Sequence, residues 1–153
     1  MRTIDENSSI PDSMRRTIRA VSWSLGVEGF FGVFTAHWDL GIIAAAWTGM
    51  FASLANQAGH KLDRDTAYKL ALGIAIGVGG FAVGYKIAAT TIAYTGVGTL
   101  PAMVANAGTN GLVTHVVGNK VARVFLAADP SDSAEDLMNA ILRLIGIPPE
   151  PTR

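Results

Sequence analysis

Residues Leu70 to Tyr94 read LALGIAIGVGGFAVGYKIAATTIAY, 25 residues in which Lys86 is the one charged side chain. A strand is typically about 5 to 6 residues long, so an Ala-rich apolar run of this length predicts a helix. Within it Gly73, Gly77, Gly80 and Gly84 recur at small-xxx-small spacing, which lets helix backbones approach closely. These four glycines are the expected helix-packing surface.

Outward from this run, the same signals recur. Between Asp12 and Asp129 Pro101 is the one proline, and it follows Thr99, a suitable helix N-cap. Asp63, with Asp65 in the first turn, predicts another helix start. Asp132 with Glu135 resembles a capping box, and Gly146 ahead of Pro148 and Pro149 predicts a stop. The expectation is an all-α chain with helices over 12–36, 39–58, 64–94, 99–126 and 132–145. It comprises about four apolar Gly/Ala-rich helices arranged as hairpins, followed by an amphipathic one. In that last helix Leu137, Ile141, Leu144 and Ile145 share a face. The division expected is a mobile N-terminus over 1–11, an apolar helical domain over 12–126, the amphipathic C-terminal helix within 127–147, and a tail over 148–153.

The chain has 153 residues, a formal net charge of zero from 12 basic and 12 acidic side chains, 17 glycines and no cysteine. Neutrality removes the basic surface that nucleic acid would need. The missing cysteine removes disulfides, thiolate nucleophiles and thiolate metal sites. Charge is also unevenly distributed, since residues 20–118 contain only eight charged side chains and 66–128 contain no acid. Gly77, Gly79 and Ala82 match G-x-G-x-x-A, but a dinucleotide site needs an acid about 20 residues on, and the next is Asp129. His37, His60 and His115 are too scattered to predict a metal centre. Catalytic acid–base pairs, metal clusters and nucleophile arrangements are missing from the apolar middle, which argues against an enzyme, and no cofactor is expected.

Four segments have the length of a membrane span, about 20 residues: Ala20 to Trp38, Leu40 to Gly59, Leu70 to Tyr94 and Leu100 to Gly118. Their flanks follow the positive-inside rule. Arg15, Arg16 and Arg19, then Lys61, Arg64 and Lys69, then Lys120 and Arg123 fall on one side, which would be cytoplasmic together with both termini. Glu28 within the first segment would need a partner, and His115 and Lys86 are the candidates for a polar tie. Against insertion stand a mean hydropathy of only +0.34 and the polar Asn56, Gln57, Asn106, Asn110 and Thr114.

GHKLDRDTA at Gly59 to Ala67, TGVGT at Thr95 to Thr99 and VGNKVARVF at Val117 to Phe125, with small-residue helices between them, resemble the helical domain of unknown function in YcjF-like inner-membrane proteins. The same domain is appended to some bacterial GTPases. The resemblance implies a bacterial, membrane-associated, non-catalytic helical module and carries over no catalytic residue. With no GTPase domain in the chain, a GTPase could act only as a partner in trans. Three readings follow: a scaffold or adaptor in or on the inner membrane, bound to lipid and self-associating as a homo-oligomer through small-residue faces; a holin-like or pore-forming permeabiliser; and a cytoplasmic soluble helical subunit of a larger assembly.

Overall fold

A computed structural model describes residues 9–31, 39–77, 99–129 and 131–146, and among them all regular structure is helical. Helix α1 is Asp12–Phe31 and α2 is Asp39–Gln57. Residues 64–77 form the described part of α3. Helix α4 is Thr99–Ala127 and α5 is Ala134–Ile145. The starts at 12, 39, 64 and 99 coincide with those expected from sequence.

Local chemistry sets these boundaries. Helix α2 ends where Gly59 takes φ +84°, a conformation with little penalty for glycine. The amide of Gly59 then donates to the carbonyl of Asn56 at 3.1 Å, and that of His60 to Ala55 at 2.9 Å, a Schellman closure. The turn drives His60 into the core, where its Nε2 donates to the carbonyl of Phe125 at 2.8 Å. Three residues on, Asp63 caps α3 by accepting from the amide of Thr66 at 3.0 Å and from its hydroxyl at 2.6 Å. Those bonds hold the Asp63 carboxyl below its ordinary range. Asp65, one turn before Lys69, pairs with it at 2.6 Å and raises the Lys69 ammonium pKa.

The capping box of α5 lies one residue later than the sequence suggests. Ser133, not Asp132, is the N-cap. Its hydroxyl accepts from the amide of Asp136 at 3.1 Å, and Asp136 Oδ2 accepts from the backbone amide of Ser133 at 3.3 Å. Asp132 instead accepts the amide of Asp129 at 2.8 Å, which closes the preceding turn. Gly146, at φ +87°, ends the helix as expected. Leu137 and Ile141 are buried against the core, with Leu144 and Ile145 half-buried beside them.

The core joins all five helices: Met14, Ile18 and Leu25 from α1, Trp47, Phe51 and Leu54 from α2, Leu70 and Ile74 from α3, Val117, Val121 and Phe125 from α4, and Leu137 and Ile141 from α5. Among α1, α2, α4 and α5 the most extensive contact is between α1 and α4, remote in sequence. Ile18 lies against Gly118, Ser22 against Gly111, and Gly29 against Asn106, so the two helices run antiparallel.

One expectation is corrected. Among the described residues no helix is long and apolar enough to cross a membrane. The second and fourth segments lie in α2 and α4, where Ala and Gly carry little hydrophobicity and Asn56, Gln57, Asn106 and Asn110 oppose it. Most of the third lies outside the described residues, as does the end of the first. Of the four glycines expected to pack helices, two fall in the described part of α3. Gly73 is exposed with nothing within 4 Å of an added Cβ, Gly77 is exposed, and Gly80 and Gly84 lie outside the described residues.

Among the described residues, close glycine packing occurs in the α1–α4 contact. A Cβ on Gly118 would fall 2.9 Å from Ile18 Cγ2 and 3.2 Å from Met50 Sδ. Gly118→Val should therefore lower stability by about 1–3 kcal/mol through overpacking. Gly73→Ala should raise it by about 0.5–1 kcal/mol through helix propensity. Denaturant melts of the two variants check this opposition of sign.

Hydrogen bonds from the Ser133 side chain and backbone hold the Asp136 carboxyl below its usual range. Its folded value is thus below its unfolded one, so the stabilisation is present above the unfolded value and is lost as pH falls through the folded one. Amide exchange in α5 should quicken in acid below the ordinary Asp range, and Ser133→Ala should flatten that acid step.

Candidate functional site: a polar seam and an apolar groove on α1 and α4

Helix α4 carries two rows at i, i+4 spacing, which places each on one face. Ala102, Asn106, Asn110, Thr114 and Gly118 point inward and are buried. Leu100, Val104, Gly108, Leu112 and Val116 point outward, with Leu100 63% and Leu112 65% exposed. The order is the reverse of the usual one for a helix in water, where polar groups face out.

The inward polar groups are only partly paired. Asn106 Nδ2 donates to the Gly29 carbonyl at 2.6 Å. Trp47 Nε1 of α2 donates to Thr114 Oγ1 at 3.1 Å. Among the described residues Asn106 Oδ1, Asn110 Nδ2, Ser22 Oγ and Glu28 Oε2 are buried atoms without hydrogen-bond partners. Close packing is possible here because Gly29 has no side chain: a Cβ there would stand 2.6 Å from Asn110 Nδ2.

Outside this seam α1 and α4 border an apolar groove of about 610 Å³, within the usual range of ligand pockets, about 300–1,000 Å³. Its α1 wall includes Arg19, Ser22, Trp23 and Val27, its α4 wall Ala107 and His115, and Gly26, Gly108 and Gly111 leave its floor bare. Trp23 is 76% exposed. Through Gly108 the groove is continuous with the exposed outer row of α4.

Several of the residues singled out in the sequence come together at one end of the bundle. Gln57 Nε2 donates to Thr17 Oγ1 at 3.1 Å, Ile18 abuts Gly118, and His60 reaches Phe125. The start of α1, the α2–α3 turn and the end of α4 therefore meet, and with them Arg15, Arg16, Arg19, Lys61, Arg64, Lys69, Lys120 and Arg123. Lys120 Nζ donates to the Leu144 carbonyl at 2.9 Å, and Arg15 Nε to that of Ile10 at 2.8 Å. Arg123 Nε is buried without a partner.

The polar tie is not formed between Glu28 and His115. Glu28 adjoins Gly29 at the level of Asn106, whereas His115 lines the groove with Arg19 and Ser22. That separates them by about 10 Å along the bundle, roughly two turns. Lys86 lies outside the described residues. Among the described residues no group of His, Asp and Glu could hold a metal ion. His60 is a core residue.

No family model, curated protein or solved structure matches the chain.

The seam is testable through its best-formed side-chain bond. Thr114→Val keeps the shape and leaves Trp47 Nε1 buried and unpaired, at a cost of about 1–3 kcal/mol. Thermal melts followed by near-ultraviolet circular dichroism should show the loss, whereas Thr109→Val on the same helix, whose hydroxyl bonds only the Ala105 carbonyl, should change little.

Proposed function

We propose that this protein is a non-catalytic, membrane-associated helical scaffold whose outer α1–α4 face meets lipid. The observation that carries the reading is the inversion on α4: Asn106, Asn110 and Thr114 are buried while Leu100, Val104, Leu112 and Val116 are exposed. An apolar surrounding makes that order favourable, and close glycine packing with interhelical side-chain hydrogen bonds is how helices associate where the hydrophobic drive is weak. Trp23 on the same side suits the membrane interface. The basic end of the bundle supports an orientation toward the cytoplasm at a bacterial inner membrane. The resemblance to YcjF-like domains points the same way, with a GTPase in trans as one partner for an adaptor. The finer arrangement belongs to this proposal: apolar helices organised as hairpins, and self-association through the exposed Gly73 and Gly77 side of α3.

One observation favours a second reading. Since no described helix is long and apolar enough to cross a membrane, the same face would equally be covered inside a larger protein assembly.

Fractionation separates the two. The chain should stay in the membrane pellet after a carbonate wash, and Val104→Gln with Leu112→Gln should release it without changing far-ultraviolet circular dichroism. Wild-type protein that leaves the pellet and elutes in a large complex overturns the membrane reading in favour of the assembly.

A further inference from the structure

We infer that the groove between α1 and α4 takes one acyl chain of an anionic phospholipid, with the headgroup held at its Arg19–His115 end. The inference rests on the membrane-associated reading and deepens it.

The argument is one of polarity along the groove. Because the helices are antiparallel, Arg19 and His115 share one end, and Val27 and Ala107 lie toward the other. From Arg19 to Val27 the groove runs about 12 Å along α1, long enough for much of an extended acyl chain. Among the described residues Arg19 makes no ion pair, Arg16 stands one turn beyond it, and α4 contains no acid. The far end passes into Val104 and Leu100, which are exposed and apolar. A site that is cationic at one end and apolar along its length complements an anionic amphiphile.

Two details make it a bound-chain site in addition to an adsorbing surface. Its floor is backbone at Gly26, Gly108 and Gly111, and a Cβ on Gly108 would meet nothing within 4 Å. There is thus room below the level of the flanking side chains. Ser22, 8% exposed, lines the groove near Arg19 and its Oγ has no partner. A turn about its χ1 would bring that hydroxyl toward an ester or phosphate oxygen at the end where a headgroup would sit.

The test compares full-length protein on neutral phosphatidylcholine vesicles and on equimolar phosphatidylcholine–phosphatidylglycerol vesicles. Arg19→Gln should weaken binding to the anionic vesicles about fivefold, the usual effect of one basic side chain near a charged membrane, and leave the neutral ones unaffected. Gly108→Leu gives opposite signs for the two modes. A leucine added to a merely adsorbing face would tighten binding about tenfold, whereas a leucine filling the groove weakens it. Phospholipid brominated along its acyl chains should quench tryptophan emission in the wild type, and Trp23→Phe should abolish most of that quenching; this arm holds even if Gly108→Leu fails to fold.

Tighter binding of Gly108→Leu, or quenching that survives Trp23→Phe, overturns the acyl-chain site and leaves membrane association standing. Failure of the wild type to bind either vesicle, with the groove covered by a second copy or another protein in a cross-linked complex, overturns the membrane reading as well.

Discussion

The side-chain amide of Asn106 donates to the carbonyl of Gly29 across 2.6 Å, and the other contacts of α1 with α4 depend on how near that bond draws the two backbones. At that separation Gly111 fits under the Ser22 carbonyl and Gly118 under Ile18, so side chains larger than hydrogen are excluded at several points along the seam. Helix α2 then closes the arrangement through Trp47, whose indole N–H would otherwise be buried without an acceptor. The polar row of α4 is therefore structural, and placing it inward turns the Leu and Val row outward. Packing and surface character are two sides of one helix.

Much of the fold was legible because helix starts and stops are local. Asp63 and Gly146 act within three or four residues of themselves, and their effects were visible in the chain. The one-residue shift from Asp132 to Ser133 reflects two candidate caps side by side, chosen by which side chain reaches the third amide beyond it. Glycine roles were less legible because small-xxx-small spacing states that a close approach is possible and not which helix makes it. The run at Gly73 and Gly77 has the more regular spacing, yet the described contact uses Gly29, Gly111 and Gly118, which are spread over two helices remote in sequence.

The site had a signal that reads differently once the partner helix is known. Asn106, Asn110 and Thr114 lower the hydropathy of the fourth apolar segment, and in isolation they count against membrane insertion. Their i, i+4 spacing with Ala102 and Gly118 is the same fact in another form: a seam of small and polar groups, with the bulky aliphatics displaced to the far side. Composition averages over faces, and the averaging hid the inversion. Glu28 and His115 failed to pair for a related reason, since their depth along the bundle depends on the register of α1 against α4, which residue counting from the segment ends does not fix.

The pairing of α1 with α4 also sets an order of events during synthesis. Nearly all of the α1 surface that faces the seam has its partners about eighty to a hundred residues downstream, from Ala107 and Gly111 to Gly118. At about 5–20 residues per second, α1 waits several seconds after its own synthesis with the Gly29 carbonyl still lacking the Asn106 side chain that donates to it. Long-range contacts of this kind close late and slowly. During that interval Trp23, Leu25 and Val27 are available together to whatever apolar surface is nearest the ribosome, so the N-terminal helix meets its environment before it meets the rest of its own chain.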